Sequence, residues 1–302
     1  IMAAKKLGVK TFIHEQNSIP GKSNKMLAKK VDLIGVSFKD SMKYFDVKKV
    51  RLTGNPCSEN AINIKKMPKT KYGLSKDKKC VLIVQGSLGS SIINEKMKDY
   101  LSSISSKDYE VLYITGKDYY ESFSKNKFSD NVKVVPYVDN LSALLKDVDL
   151  VITRAGASIT SEITALRIPS IFIPSPYVAN NHQYYNALSI KNAGAGEMIE
   201  EKDLTSDLLK TKVDNILNND KLYKSMQDNL KFMEVKIKDL SFEDSHKVMS
   251  DFVYDNNLYD VNVKNVRSLS FYLDGNFKED SLIKQPITTV RKFDKLFSYI
   301  EK

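Results

Sequence analysis

Short apolar runs alternate with amphipathic stretches along most of the chain. Runs typical of buried strands occur at residues 80–85, 111–115, 132–135, 150–153 and 170–173. The stretches between them, near residues 91–101, 118–125, 139–146 and 158–167, repeat apolar residues at helical spacing. Strands that alternate with helices predict an α/β fold with a parallel, doubly wound sheet, because parallel neighbours need crossover connections.

A shorter pattern of the same kind precedes residue 58. It predicts strands at 9–13, 31–36 and 49–52 and a basic helix at 20–30. These elements are too few to bury a core of their own. We therefore expect residues 1–58 to be the remnant of a larger N-terminal domain that begins before Ile1.

The domain organisation follows from where these patterns stop. A polar stretch from residue 58 to residue 79 predicts a connector, and residues 59–240 predict a second domain that ends in amphipathic helices. Residues 241–254 predict a helix that returns to the first domain. Residues 255–302 form an extension of unknown role without a motif, and residues 251–302 carry 8 basic and 8 acidic residues.

Charge is concentrated at the front of the chain, whose net charge is +10 overall. Residues 1–58 hold 12 Lys and Arg against 4 Asp and Glu. This surplus fits attraction to an anionic membrane or substrate, or simply a solvated Lys-rich surface. No basic stripe with stacking aromatics accompanies it, so nucleic acid is not an expected partner. Two cysteines make no disulfide framework, and the three histidines are scattered, so we expect no metal and no cofactor.

Residues 153–162 carry the first candidate chemistry. They follow an apolar run at 148–152 and combine a small-residue turn with the start of a helix that Pro169 ends. Ser158 is a plausible N-cap, and the free N–H groups of the first turn suit an anion such as a pyrophosphate. Glu162, one turn further, could accept hydrogen bonds from a sugar diol. An ordinary capped helix explains these ten residues equally well.

Three other polar segments follow predicted strands or begin predicted helices. They are a cluster at 14–17, a Gly/Ser turn at 85–90 and a helix start at 180–187. Each is a weak signal alone, but open α/β sheets bind ligands where the carboxyl ends of their strands converge. Together the segments favour a nucleotide-type ligand. Neither a Gly-x-Gly-x-x-Gly pattern nor a Walker loop is present, which argues against NAD and P-loop chemistry.

Five segments, in this order and spacing, resemble the MurG family of bacterial UDP-N-acetylglucosamine transferases. They are HEQNSIPGKSNKMLAKK (14–30), LTGNP (52–56), QGSLGS (85–90), TRAGASITSE (153–162) and NNHQYYNA (180–187). The resemblance implies a GT-B fold of two Rossmann-like domains, the N-terminal one incomplete. It implies metal-independent, inverting transfer of N-acetylglucosamine from UDP-N-acetylglucosamine to lipid I, which gives lipid II in peptidoglycan synthesis. It also implies a peripheral location at the cytoplasmic face of the bacterial cell membrane.

The resemblance assigns roles by position. The residues that it places around the donor are Asn17, Ser87, Val138, Arg154, Ala157, Ser158, Ile159, Thr160, Ser161, Glu162, Gln183 and Asn186. Glu162 would hold the ribose hydroxyls, and residues 157–161 would present N–H groups to the pyrophosphate together with Ser87. Val138 would flank the uracil, and Arg154 would lie near the leaving group.

The resemblance gives the remaining donor residues contacts with the sugar. Gln183 and Asn186 would contact the N-acetylglucosamine, and Asn17 would reach the donor from the front domain. His14 and Glu15 are candidate acid/base or orienting groups, although the family's candidate base is a histidine that would lie before Ile1.

One departure and two alternatives accompany the resemblance. The TGNP segment usually continues to an arginine, and Ser58 stands at that position here. A cation expected near the donor is therefore missing. A different GT-B glycolipid synthase is one alternative, and a truncated or degenerate UDP-sugar-binding module without catalysis is the other.

Overall fold

Two parallel β-sheets contain the strands of residues 1–8, 11–85 and 91–236, the part of the chain that the computed structural model describes. The strands are β1 (Phe12–Glu15), β2 (Leu33–Val36), β3 (Val50–Leu52), β4 (Cys80–Val84), β5 (Glu110–Ile114), β6 (Val132–Val135), β7 (Leu150–Thr153), β8 (Ser170–Phe172) and β9 (Glu197–Met198). The α-helices are α1 (Met2–Lys6), α2 (Lys22–Ala28), α3 (Pro56–Asn63), α4 (Ser91–Ser102), α5 (Lys117–Phe123), α6 (Leu141–Leu145), α7 (Ala157–Leu166), α8 (His182–Asn192), α9 (Ser206–Asn218) and α10 (Asp220–Lys236). Short 3-10 helices cover Lys39–Tyr44, Lys69–Tyr72, Ala179–Asn181 and Glu201–Asp203.

The front sheet has three strands in the order β1-β2-β3. Its small core is aliphatic and includes Val31, Ile34 and Val50. Gly35 lies at the centre of β2, where a Cβ atom would come within 2.8–2.9 Å of Phe12, His14 and Thr53. Glycine is therefore required for β2 to approach its neighbours. The three predicted strands and the predicted basic helix, now α2, are confirmed, but the first strand covers Phe12–Glu15 rather than residues 9–13, so His14 and Glu15 lie within it.

The rear sheet has six strands in the order β6-β5-β4-β7-β8-β9, and all its pairs are parallel. The chain moves outward from β4 in one direction and then returns to start β7 on its other side. This reversal opens a crevice at the carboxyl ends of β4 and β7, where doubly wound sheets bind ligands. The predicted parallel, doubly wound sheet is confirmed.

Each face of the rear sheet packs against its own helices. Alternate residues of β4 point to opposite sides, so Ile83 joins the cluster that contains α4 and α9 residues, whereas Leu82 joins the cluster with α7 and α8 residues. Both clusters consist largely of fully buried aliphatic and aromatic side chains. None of the described helices combines the length and apolar character needed to cross a membrane.

The segment predicted as a polar connector begins with a helix instead. Asn55 accepts a hydrogen bond from the Cys57 N–H at 3.2 Å and so caps α3, and Pro56 occupies its first turn. Asn followed by Pro is a helix-start signal, because proline lacks the N–H that a first turn leaves unpaired. Residue 58, the predicted domain boundary, thus lies within α3. The division into domains stays a prediction, and its parts at 241–254 and 255–302 lie outside the described residues.

Candidate functional site

Helix α7 begins at the carboxyl end of β7. Its N-cap is Gly156, without a side-chain cap, so the prediction that Ser158 caps the helix was wrong. Gly156 adopts the extended conformation that an N-cap needs, which leaves Ser158 already helical. The N–H of Thr160 donates to the carbonyl of Gly156 at 3.0 Å. Only the N–H groups of residues 157–159 therefore remain free to bind an anion. The set of N–H groups predicted to bind the pyrophosphate, those of residues 157–161, is reduced accordingly.

The side chains of this first turn add little to an anion site. Ile159 packs against the core, Thr160 is fully buried, and the Ser161 hydroxyl donates to the carbonyl of Ala157 at 2.8 Å. Ser158 is exposed. What α7 offers at this end is backbone N–H groups and the positive end of its dipole.

Glu162 lies five residues beyond the start of α7, about 7.5 Å further along the helix axis. Its side chain is half-buried, and burial raises its pKa, although a hydrogen bond with Ser142 opposes that shift. An anion at the helix start and hydroxyls at Glu162 would belong to different parts of one extended ligand. A partly desolvated carboxylate is also a strong acceptor for such hydroxyls.

Asn186 joins the two sheets. Its Oδ1 accepts from the backbone N–H and the hydroxyl of Ser18, both at 2.9 Å, and its Nδ2 donates to Asn17 Oδ1 and to the carbonyl of Ala155, both at 3.1 Å. The side chain is fully buried. These four bonds exhaust its hydrogen-bonding capacity in a buried position, so the geometry does not support the predicted sugar contact of Asn186.

Gln183 lies one turn before Asn186 on α8. Its Oε1 accepts from the backbone N–H of Ser175 at 2.8 Å. That bond fixes the orientation of the amide and leaves the Nε2 donor as the part that can reach a ligand. Val138 is 5% exposed and belongs to the same core cluster as Ile159. Ser87 lies outside the described residues.

The polar cluster at the end of β1 is tightly bonded. Glu15 is buried, and its two oxygens accept from the N–H and Nδ2 of Asn17, the N–H of Gly21 and the Nδ2 of Asn24 at 2.8–3.2 Å. Glu15 therefore holds the loop that follows β1, and this arrangement does not support an acid/base role.

His14 contacts the carbonyl of Gly54 through Nε2 at 2.9 Å. A carbonyl only accepts, so Nε2 carries the proton and Nδ1 is the acceptor in the neutral ring. Burial lowers the pKa of His14, and this effect outweighs the hydrogen bond with Gly54 and the charge of Glu15, both of which raise the pKa. The imidazole is therefore neutral at pH 7.

Arg154 immediately follows β7, and its guanidinium faces the carboxylate of Glu201. Its Nη2 pairs with Glu201 Oε2 at 2.5 Å, and its Nη1 donates to the carbonyl of Ile173 at 3.1 Å. Both side chains of the pair are at least nine-tenths buried. Because the guanidinium charge is already balanced, this geometry does not support the predicted role of Arg154 beside a leaving group.

Sequence reasoning missed a second contact between the sheets. The hydroxyl of Ser58 donates to the carbonyl of Ser161 at 3.1 Å, and the Cys57 thiol contacts the carbonyl of Ser158 at 3.5 Å. Position 58 therefore faces α7. Burial, followed by the charge of Glu162, raises the pKa of Cys57 to about 12. Within the described ranges, no three His, Cys, Asp or Glu side chains are grouped as metal ligands.

Solved structures with a similar overall fold define the fold class. Acinetobacter baumannii MurG aligns with a TM-score of 0.60 at 21% identity, over 78% of this chain and 67% of that one. The structure titled as a co-structure of S. aureus MnaA with UDP aligns with a TM-score of 0.59 at 16% identity, over 85% of this chain and 72% of that one. The chain thus has the GT-B fold, and the predicted fold class is confirmed.

Sequence comparison identifies the family within that class. The C-terminal domain of glycosyltransferase family 28 matches residues 80–241, and the N-terminal domain of the same family matches residues 1–36. The chain belongs to glycosyltransferase family 28.

Curated relatives carry one name, UDP-N-acetylglucosamine–N-acetylmuramyl-(pentapeptide) pyrophosphoryl-undecaprenol N-acetylglucosamine transferase. The relative from Bacillus cytotoxicus is 44% identical over 232 residues, which are 75% of this chain and 64% of that protein. The relative from Pediococcus pentosaceus is 39% identical over 237 residues, which are 77% of this chain and 66% of that protein. The chain therefore spans somewhat less than two thirds of the length of these relatives.

Proposed function

We propose that the protein transfers N-acetylglucosamine from UDP-N-acetylglucosamine to lipid I, giving lipid II for peptidoglycan synthesis, with inversion and without a metal. Family membership and the common name of its relatives support this reaction. The name of those relatives contains both the donor sugar and an undecaprenol-linked acceptor.

The observation that carries the proposal is the convergence of separate segments. Asn186 of α8 bonds to Asn17 after β1 and to Ala155 before α7, at 3.1 Å each. Ser58 adds a bond from α3 to α7. Three of the five segments that resemble the transferase family therefore meet at one edge of the rear sheet, and Ser58 lies two residues beyond a fourth, although up to 169 residues separate the bonded partners.

The geometry supports a definite position for the donor. We assign the pyrophosphate to the N–H groups of residues 157–159 at the start of α7 and the ribose hydroxyls to Glu162. Gln183 donates from Nε2 to the N-acetylglucosamine, and Asn17 approaches the same sugar from the front sheet. Val138 is buried in the core, so we assign it a place beneath the base rather than an exposed one beside it.

The proposed transfer requires no covalent bond between the protein and the sugar. An acceptor hydroxyl attacks the anomeric carbon, the bond from that carbon to the β-phosphate oxygen breaks, and UDP departs with the electron pair. The start of α7 stabilises the charge that develops on the pyrophosphate. The hydroxyl proton passes to a base. Neutral His14, with an acceptor at Nδ1, remains a candidate for it or for orienting the acceptor.

The same proposal places the enzyme at the anionic inner surface of the cell membrane. Lys22 and Lys25 of α2 and Lys29 immediately after it are exposed, as is Met26 between them. Exposed lysines beside an apolar side chain suit an anionic lipid surface. Charge reversal of the three lysines should weaken binding to vesicles that contain anionic lipid at low salt. Unchanged binding would remove α2 from the membrane contact.

A transfer assay tests the reaction. The segment of the Bacillus cytotoxicus relative that precedes its match to this chain is fused before Ile1, and transfer of labelled N-acetylglucosamine to lipid I is measured. We expect transfer that Glu162→Ala reduces strongly. A fusion that is folded and binds UDP-N-acetylglucosamine but transfers nothing would contradict the proposed reaction.

That last result would favour a UDP-sugar-binding module, and one observation points that way. Ser58 occupies the position where the family usually has an arginine, and it faces α7, near the proposed pyrophosphate position. A serine brings no positive charge there. If Ser58→Arg gives transfer activity to a fusion that is otherwise inactive, the missing positive charge is the reason for the inactivity.

A further inference from the structure

We infer that Asn186 is a positioning residue that fixes the side-chain amide of Asn17, so that Asn17 offers an N–H donor to the transferred sugar. The inference rests on the proposed function for the identity of the ligand. It assigns to Asn186 a role without substrate contact, and it makes Asn17 the group through which Asn186 acts.

The orientation of each amide is forced by partners that can only donate or only accept. The carbonyl of Ala155 only accepts, so Nδ2 of Asn186 must face it, at 3.1 Å. The backbone N–H of Ser18 only donates, so Oδ1 of Asn186 must face that group, at 2.9 Å. Rotating the Asn186 amide by half a turn would set Nδ2 against the donor N–H of Ser18 and Oδ1 against the acceptor carbonyl of Ala155 in a fully buried place.

Asn17 takes its orientation from this fixed amide and from Glu15. Nδ2 of Asn186 donates to Oδ1 of Asn17 at 3.1 Å, and Nδ2 of Asn17 donates to Oε1 of Glu15 at 3.2 Å. A carboxylate accepts only, so both ends of the Asn17 amide are specified. One N–H of its Nδ2 remains, and this is the atom that Asn17 can direct at a sugar oxygen.

The position of this chain of bonds links it to the donor. Ala155 immediately precedes the N-cap of α7, and Asn186 follows Gln183 by one turn of α8. A single buried amide thus ties the front-sheet loop to both rear segments proposed to hold the pyrophosphate and the sugar. Preorganisation of this kind raises affinity by removing the cost of ordering a side chain on binding.

Calorimetric titration of the whole chain with UDP and with UDP-N-acetylglucosamine tests the inference. Asn186→Ala should raise the Kd for UDP-N-acetylglucosamine about three- to tenfold, the value of one neutral hydrogen bond, and change the Kd for UDP less than about twofold. In an Asn17→Ala background, Asn186→Ala should leave the ratio of the two Kd values unchanged, because its effect passes through Asn17.

A matched control lies on the same helix. Ser189 also bridges the sheets, since its hydroxyl donates to Oδ2 of Asp40 at 2.8 Å, and Asp40 belongs neither to α7 nor to the loop of Asn17. Ser189→Ala should leave both Kd values unchanged. Equal loss of UDP and UDP-N-acetylglucosamine affinity in Asn186→Ala, or additive losses in the double variant, would overturn the inference.

A second measurement needs no ligand. In protein labelled with nitrogen-15 at asparagine, the side-chain amide signals of Asn17 should move and their protons exchange faster in Asn186→Ala, and they should stay in place in Ser189→Ala. Unmoved signals would overturn the inference whatever binds. If neither nucleotide binds the unaltered chain but these signals move, the proposed function fails and the positioning role stands.

Discussion

Removing the carboxylate of Glu162 tests whether the donor's ribose lies along α7. A carboxylate that accepts from both ribose hydroxyls contributes hydrogen bonds worth about 1.5–3 kcal/mol in net free energy. The Kd for UDP should therefore rise about ten- to 150-fold in Glu162→Ala. Because Glu162 is already half-buried in the free protein, desolvating it when the ligand arrives costs less free energy than it would for an exposed carboxylate.

The assay compares two ligands on two proteins. UDP and 2′-deoxy-UDP are titrated calorimetrically into the unaltered chain and into Glu162→Ala. The unaltered chain should prefer UDP, since the deoxy ligand lacks one of the two hydroxyls. The variant should bind both ligands equally, because the group that distinguishes them is gone. Glu121→Ala, which removes an exposed glutamate of α5, should change neither Kd.

The pH dependence gives an independent check. Burial raises the pKa of Glu162 above its ordinary value of 4.5, so its carboxylate is protonated at a higher pH than an exposed glutamate. Affinity for UDP-N-acetylglucosamine should fall as the pH approaches that raised pKa from above, and Glu162→Gln should lack this fall. If Glu162→Ala kept the preference for UDP over 2′-deoxy-UDP, the ribose would lie elsewhere, and this result would refute the assignment of the ribose to Glu162.

Three further predictions concern the surroundings of the site. Burial lowers the pKa of His14 below its ordinary value of 6.5, so the unfolded chain takes up the proton first as the pH falls. At pH values below about 6.5, the free energy of unfolding measured by urea titration should therefore decrease, and it should decrease less in His14→Gln. Glu201→Gln leaves Arg154 with a buried unbalanced charge, so it should lower the free energy of unfolding by about 3–5 kcal/mol. The folded protein should keep its Kd for UDP. A large change in that Kd would instead indicate that Arg154 contacts the ligand. Burial raises the pKa of Cys57 and of Cys80 to about 12, so a thiol reagent at pH 8 should label both slowly in the native chain and rapidly in denaturant; fast native labelling of Cys57 would contradict its packing against α7.

The architecture could be predicted largely because buried strands leave a strong local pattern. The runs at β4, β5 and β7 are almost entirely apolar and buried, as central strands of a parallel sheet must be. The strand β9 was missed because it has two residues, Glu197 and Met198, and two residues carry no periodicity. The start of α3 could have been found, since Asn55 and Pro56 form a helix-start signal.

The site was predicted only as far as local sequence determines it. The start of α7 and the position of Glu162 follow from one strand–turn–helix segment. The roles of Asn186 and Arg154 depend on partners elsewhere in the chain: Asn186 bonds to residues 168 and 169 positions away, and Arg154 pairs with Glu201. A polar residue on a helix looks the same in sequence whether it faces a ligand or a buried amide from another sheet. The structure alone distinguishes these cases.

The central claim is that the edge formed by α7, α8 and the loop after β1 binds UDP-N-acetylglucosamine. Calorimetric titration of the chain with UDP-N-acetylglucosamine, followed by competition with UDP and with UDP-glucose, tests it most directly. We expect one saturable site, from which UDP displaces the sugar nucleotide and UDP-glucose competes more weakly. A chain that circular dichroism shows to be folded, yet that releases no heat with UDP-N-acetylglucosamine or UDP, would contradict the claim.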